Sequence, residues 1–229
     1  CRKALAWLPF LAPSRYIAVD IAGAEIANSL AKMATDFPEI DMLGVVADFT
    51  SGLDLEQDLD AAPVTFFYPG SSIGNFTPAG ASSFLQAVKL HCAGRDDSGL
   101  LIGVDTKKDK ARLDAAYDDA LGVTAAFNRN VLNHVNRVLG SDFRPEAFAH
   151  RGFYNEAAER IEMHLEAITA QCVRWPDVER TFAAGERIHT ENSYKYSPAE
   201  FTALVRGAGF DRVQCWQDPQ RDFAVFHAA

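Results

Sequence analysis

The chain has 229 residues, 48% hydrophobic and 11% aromatic, which suits one large packed domain and excludes a disordered segment. With 31 acidic against 22 basic residues the net charge is -9, so there is no basic face for phosphate backbones and no nucleic-acid partner is expected. Four scattered cysteines (Cys1, Cys92, Cys172, Cys215) fit neither a disulfide framework nor a zinc site, and no signal peptide or membrane-length apolar run is read, so a cytoplasmic monomer away from membranes is the expectation.

The chain opens at Cys1, without a methionine, inside what reads as a helix to Leu11; a fragment of a longer protein is therefore expected. Arg15 to Asp20 is a short apolar run closed by an acid, the pattern of a buried parallel strand. A helical pattern from Gly23 to about Thr35 carries Ile26, Leu30 and Met33 on one face. Met42 to Asp48 reads as the next strand, again closing on an acid. Val64 to Tyr68 reads as a third, followed by the loop Pro69-Gly-Ser-Ser-Ile-Gly-Asn75. Thr77-Pro78 pairs a capping hydroxyl with proline at the first turn and starts a helix to about Cys92. Gly99 to Asp105 reads as a fourth strand.

Strands alternating with helices of this length indicate βαβ units and a parallel sheet. Ligands of such sheets sit beyond the carboxyl ends of the strands, where Asp20, Asp48, the loop to Asn75 and Asp105 all fall.

Beyond Asp105 the pattern changes. Lys107 to Leu121 reads as a helix with Leu113, Ala116, Tyr117, Ala120 and Leu121 along an apolar stripe, and Thr124 to Leu139 as another facing inward through Phe127, Val131, Val135 and Val138. Arg160 to Ala167 alternates strictly and predicts an antiparallel strand, with Glu186 to Tyr196 as its partner. Ser197-Pro-Ala-Glu200 is a capping box opening a helix to about Ala208, before two last strands, Asp211 to Gln217 and Phe223 to His227. The reading is an α/β fold: a doubly wound core (1–106 and 194–229) interrupted by an α+β insertion (107–193).

A carboxylate at the end of a nucleotide-binding strand accepts from both hydroxyls of a ribose, which suits Asp20. A second acid followed by an aromatic, Asp48-Phe49, suits an adenine amino group and ring. Each aspartate alone is also an ordinary turn former or helix cap; at matching strand ends the pair favours an adenosyl ligand. No Ser/His/Asp-type triad is visible, and the six histidines show no metal-like spacing, so neither a catalytic side chain nor a metal is expected. Methyl transfer from a sulfonium to an amine needs only positioning groups and an unprotonated amine held in line.

Six ordered stretches give a closer reading: Pro69 to Pro78, Gly103 to Asp109, Tyr117-Asp-Asp-Ala, Gly122 to Asn130, Arg160-Ile-Glu-Met163 and His189-Thr-Glu-Asn-Ser-Tyr-Lys-Tyr196. Together, from Arg15 to Ala229, they resemble the L-histidine Nα-methyltransferases of ergothioneine biosynthesis, a family whose related members methylate tryptophan-type amines. The resemblance implies a Rossmann-like S-adenosylmethionine (SAM) domain with an inserted substrate-binding domain. It implies that Asp20 meets the ribose, that Asp48 and Phe49 meet the adenine, and that Lys3 corresponds to the lysine closing a glycine-rich cofactor motif whose glycines lie before Cys1. It implies Asn75 and Tyr117 on the amino-acid head group, Glu191 and Ser193 on the imidazole with Asn192 between them, and Met163 as an apolar wall. The expected reaction is Nα-methylation of L-histidine up to the trimethylated betaine, hercynine. The alternatives are the same chemistry on another amino acid or amine, a non-catalytic SAM-binding module, and an NAD-dependent oxidoreductase, the last disfavoured by Asp48-Phe49.

Overall fold

The computed structural model describes residues 2–50 and 52–229. The first helix, α1, spans Arg2–Leu11; Cys1, read above as part of it, lies outside the described residues. Strand β1 (Arg15–Asp20), helix α2 (Gly23–Asp36) and strand β2 (Asp41–Val46) form a βαβ unit, with β1 and β2 parallel and paired from Arg15↔Asp41 to Asp20↔Val46. Ile26 and Met33 bury the face of α2 predicted from the sequence, and Leu30 is partly buried beside them. β2 ends at Val46, so Asp48 sits in the following turn, where its carboxylate accepts from the backbone N–H and hydroxyl of Thr50.

Strands β3 (Thr65–Tyr68) and β4 (Gly99–Asp105) are parallel and linked by helix α3 (Pro78–Cys92), which Thr77 caps by accepting from the Gly80 N–H at 3.1 Å. The last helix and strands, α6 (Pro198–Gly207), β10 (Val213–Gln217) and β11 (Phe223–Ala228), follow the sequence reading, and α6 carries the complete Ser197/Glu200 capping box. β11 lies antiparallel on β4, giving the order β10-β11-β4-β3. Helices pack on both faces of β3, because successive strand side chains point to opposite sides. Phe67 joins α1 and α2 in a cluster with Leu8 and Met33, while Phe66 and Tyr68 join α3 and α6 in the main core around Leu85, Leu100, Ile102, Phe201 and Phe226.

β1–β2 and the four-stranded sheet are separate sheets, and the facing edges of β1 and β3 line a slot of about 760 Å3. Helix α1 spans it, with Trp7 5.9 Å from the ring of Phe67. That open edge is why Tyr16 to Val19, read as a buried strand, are only half-buried.

In the middle of the chain two sequence expectations are corrected. Helix α4 runs only from Lys110 to Tyr117, and Leu121, placed above on its apolar stripe, is 90% exposed. It stops there because Asp119 accepts from the backbone N–H groups of Val123 and Thr124 to start the next helix. Those bonds hold the Asp119 carboxyl at about 2. Helix α5 (Val123–Leu139) buries Asn128 and Leu132 and exposes Phe127, Val131 and Val138, the reverse of the predicted face. Two asparagines decide this. The Asn128 amide reaches His150 Nδ1 at 2.9 Å and the carbonyl of His164 at 3.2 Å, and Asn136 bonds the backbone of Phe143 through both its amide atoms. Buried amides leave no choice of face, since an unpaired one costs more than an exposed valine.

A third sheet follows, formed by β5 (Phe148–Asn155), β6 (Arg160–Ala167) and β9 (Arg187–Tyr194), all antiparallel in the order β5-β6-β9. The strand pairing predicted between β6 and β9 is present, with a bulge between Met163 and His164. β5 and the hairpin of β7 (Gln171–Trp175) and β8 (Val178–Phe182) were not read from the sequence. No helix among the described residues is long and apolar enough to cross a membrane.

Candidate functional site

Two concavities meet the carboxyl ends of the parallel strands. The first is the slot between β1 and β3, whose lining includes Asp20, Phe49, Tyr68 and Phe84. Asp20 is fixed by an Asx-type turn, its Oδ1 accepting from the Ala22 N–H at 2.9 Å. The Phe49 ring packs edge-on against Tyr68 at 6.0 Å and against Phe84 at 6.1 Å, so the turn after β2 is pinned to the main core. Lys3 extends from α1 to donate to the carbonyl of Pro69 at 3.4 Å, just past the end of β3.

The second concavity holds about 390 Å3 and is lined by Asn75, His189, Thr190, Glu191 and Asn192. It exists because the loop after β3 is pressed onto β9. Ser71, in the left-handed region at φ 61°, accepts from the Asp105 N–H at 2.7 Å through its hydroxyl and ties the loop to the end of β4. Gly74 then lies flat on β9: a Cβ there would stand 2.7 Å from the Tyr194 carbonyl oxygen and 3.2 Å from Ser193 Oγ. Only glycine admits this approach, and it delivers exposed Asn75 beside Glu191.

Strand alternation places Glu191, Ser193 and Lys195 on one side of β9 and its extension. Tyr117, at the last turn of α4, donates from its hydroxyl to Ser193 Oγ at 3.2 Å. Lys195 donates to Tyr117 Oη and to Ser193 Oγ, both at 2.9 Å, and its Nζ is 2.6 Å from Asp105 Oδ2. Asp105, one of the strand-end acids, is thus held by Lys195 on one oxygen and by Lys108 at 2.6 Å on the other. Met163 pairs directly with Glu191 across the strands and is buried with Leu113, Tyr154 and Ile161 against Tyr117. Among the described residues nothing bonds the Glu191 carboxylate, which is half-buried; burial pushes it up and the Lys195 charge pulls it back. A half-buried carboxylate without a hydrogen-bond partner in a cleft makes this a candidate binding site. Asn192 adds a buried side-chain oxygen that likewise has no hydrogen-bond partner.

The structure therefore gathers the residues singled out from the sequence into two groups. Lys3, Asp20 and Phe49 sit at the slot and the strand ends beside it, with Asp48 adjoining Phe49 in the same turn. Asn75, Glu191 and Asn192 line the second cavity, while Tyr117, Met163 and Ser193 do not line it but cluster next to Glu191 on β9, and the loop from Tyr68 to Asn75 joins the groups. Sequence reasoning left out Lys195 from the site. Its signal was present in the alternation Glu191, Ser193, Lys195, a polar row on a strand whose last two members are buried.

On the far face of β6, ligand atoms of Glu162, His164 and His189 come within 4.8 Å of one another, although no histidine spacing announced it. The carboxylate of this group is satisfied internally, while His164 Nδ1 is buried without a hydrogen-bond partner among the described residues. Arg160 holds Glu162 Oε1 at 2.7 Å, Asn155 adds a bond at 3.1 Å, and His164 Nε2 meets Oε2 at 3.1 Å. Burial alone would raise the Glu162 carboxyl, yet these partners bring it to about 2.

Comparison with known proteins adds sequence relationships to this geometry. The family model for histidine-specific, SAM-dependent methyltransferases matches residues 2–229. A Histidine N-alpha-methyltransferase of Mycolicibacterium smegmatis is 42% identical over 213 residues, which cover 92% of this chain and 65% of that protein. One from Mycobacterium tuberculosis is 38% identical over 221 residues, covering 94% and 66%. The chain thus spans just under two thirds of the length of these curated relatives. A 4-dimethylallyltryptophan N-methyltransferase of Claviceps purpurea is 24% identical over 230 residues, covering 92% and 67%.

Proposed function

The chain belongs to the histidine-specific, SAM-dependent methyltransferase family, and from that premise we propose that the whole protein methylates the α-amine of L-histidine, up to the trimethylated betaine, as in ergothioneine biosynthesis. One observation carries the reading: the loop after β3 is pressed onto β9, so that Asn75 and the unpartnered carboxylate of Glu191 line one cavity. An amino acid held there has its head group at the strand ends and its side chain along β9.

At its carboxyl end the slot offers groups whose chemistry suits the cofactor. It offers an aromatic wall at Phe49 and, at its rim, Asp20, whose Oδ2 accepts nothing among the described residues. Asp20 would take the ribose hydroxyls, Asp48 and Phe49 the adenine, and Lys3 would support the strand-end loop. When bound, SAM supplies an electrophilic methyl group on sulfonium. The protein's part is to bring an unprotonated amine in line with that group. Asn75 and the Tyr117 phenol would hold the head group, Glu191 would accept the ring N–H, Ser193 would meet the other ring nitrogen, and Met163 and Asn192 would support them. No general base is needed beyond deprotonation of the amine in solution, since the gain comes from alignment. In this division residues 107–193 act as the substrate-binding insertion, and residues 1–106 with 194–229 as the cofactor-binding part.

The nearest alternative substrate is an indole-type amine, the class named for the Claviceps purpurea relative. An indole offers one N–H to Glu191 and leaves Ser193 unmatched, so imidazole is the better fit. The test is direct. Full-length protein is incubated with SAM and either histidine or a panel of tryptophan-type and aliphatic amino acids, and products are weighed by mass spectrometry. Successive gains of one, two and three methyl groups on histidine are expected. Transfer to another amine in preference to histidine, or SAM binding without transfer to any amine, defeats the proposal.

A further inference from the structure

Lys195 is the most deeply buried charge near the proposed substrate cavity, its side chain only 1% exposed. Burying an ammonium is costly, and replacing a whole buried ion pair by apolar residues of similar volume is commonly neutral or stabilising, so stability is a poor reason for the Lys195–Asp105 pair. Its geometry gives a better one. An ammonium has three hydrogens and no lone pair, so every polar neighbour must act as its acceptor. The three acceptors are Asp105 Oδ2 at 2.6 Å, Tyr117 Oη at 2.9 Å and Ser193 Oγ at 2.9 Å.

This fixes where the hydroxyl hydrogens go. Tyr117 and Ser193 each receive from Lys195 and lie 3.2 Å apart. The phenol is the more acidic of the two hydroxyls, so it donates to the serine. Ser193 Oγ then accepts twice, from Lys195 and from Tyr117, and both its lone pairs are occupied. Its own hydrogen has one remaining use, as a donor directed out of the network. The carboxylate of Glu191, two residues away on the same strand face, can only accept when ionised.

We propose that Lys195 is a positioning residue that holds Ser193 as an obligate donor opposite the acceptor Glu191, so that the pair reads a ring bearing one N–H and one bare nitrogen. The inference rests on the proposed histidine reading and deepens it: the ring selected is the neutral imidazole. Residues i and i+2 of a strand are about 7 Å apart. An imidazole bridges that gap with a hydrogen bond at each end, whereas a ring without the bare nitrogen strands the serine hydrogen. Asp105 is the anchor of the device, since it offsets the lysine charge.

The experiment is a double-mutant cycle on the full-length protein: wild type, Lys195→Met, Ser193→Ala and the double variant. Isothermal titration measures L-histidine in the presence of S-adenosylhomocysteine, and S-adenosylhomocysteine alone as the reference. Lys195→Met should weaken histidine binding by about 10-fold or more while S-adenosylhomocysteine stays within about twofold, and in the Ser193→Ala background the same change should cost less than about twofold. Additive losses in the cycle, or parallel loss of both ligands, would overturn the proposal, because a purely structural lysine acts independently of the Ser193 hydroxyl. If Lys195→Met does not fold, the pair Asp105→Asn/Lys195→Met, which removes both buried charges, enters the cycle in its place. Wild-type protein that binds S-adenosylhomocysteine but no histidine overturns the substrate reading itself, an outcome distinct from additivity in the cycle.

Discussion

Gly74→Ala is the sharpest probe of how the two halves of the site are joined. The added methyl would stand 2.7 Å from the carbonyl oxygen of Tyr194, a backbone atom in the paired strand β9 that has no rotamer to change. Non-bonded contacts settle near about 3.5 Å, so loop and strand must part by roughly 0.8 Å, the difference between that spacing and 2.7 Å. Overpacking of this kind costs about 1–3 kcal/mol, and for a chain of this size each kcal/mol lowers Tm by about 2–4 °C. The functional cost should be larger than the structural one. Asn75 follows Gly74 directly and moves with it, and misplacement of about 1 Å costs roughly 100-fold in an aligned reaction. We expect kcat/KM for histidine to fall by about 10- to 100-fold while S-adenosylhomocysteine affinity, set at the slot, changes by less than about twofold. Differential scanning calorimetry and initial rates on the full-length enzyme read both quantities. Gly207→Ala serves as the control: nothing lies within 4 Å of its Cβ direction, so it should be neutral or add about 0.5–1 kcal/mol through helix propensity. A Gly74→Ala enzyme with wild-type Tm and wild-type kcat/KM would refute the close approach and the joined site built on it.

Glu191→Gln keeps shape and removes the charge-assisted acceptor, so histidine affinity should fall by about 1.5–3 kcal/mol, roughly 10- to 150-fold, as titration calorimetry would show. Because burial raises the Glu191 carboxyl against the pull of Lys195, wild-type histidine affinity should decline as pH drops through that raised value, above the ordinary carboxylate range, while the glutamine variant should keep only the limb set by protonation of the substrate's own ring; identical acid limbs in the two proteins refute the assignment. For folding the sign is opposite: a raised folded value means that this group's contribution is present at low pH and lost as pH rises through it. Ser197→Ala removes the α6 capping box and should cost about 1 kcal/mol in urea unfolding with no change in S-adenosylhomocysteine affinity; a loss of cofactor binding would mean that α6 reaches the site.

Where local chemistry decides the outcome, the sequence was read correctly. Thr77-Pro78 and Ser197-Pro198 start helices because the capping hydroxyl and proline act within one turn, and the alternation of β6 identified a strand because period two survives burial. The reading failed where a polar contact with a distant segment outweighed an apolar stripe. Phe127, Val131 and Val138 look like an inward face until Asn128 finds His150 and the His164 carbonyl. Asp119 looks like a helix interior residue until its carboxylate caps the helix that follows.

The same asymmetry explains why the site was legible in part. Strand alternation puts Glu191, Ser193 and Lys195 in one polar row, but what makes Lys195 more than a solvated charge is Tyr117, 78 residues earlier in the chain, and Asp105 beyond it. Positioning chemistry has no nucleophile or metal spacing to announce it; it is built from donors and acceptors whose meaning depends on which neighbour they face. A buried lysine with an anchored carboxylate converts two ordinary hydroxyls, each able to donate or accept, into groups with one direction apiece. On the proposed reading direction, more than residue identity, would separate an imidazole from an indole of similar reach, set by an ion pair that does not touch the ring.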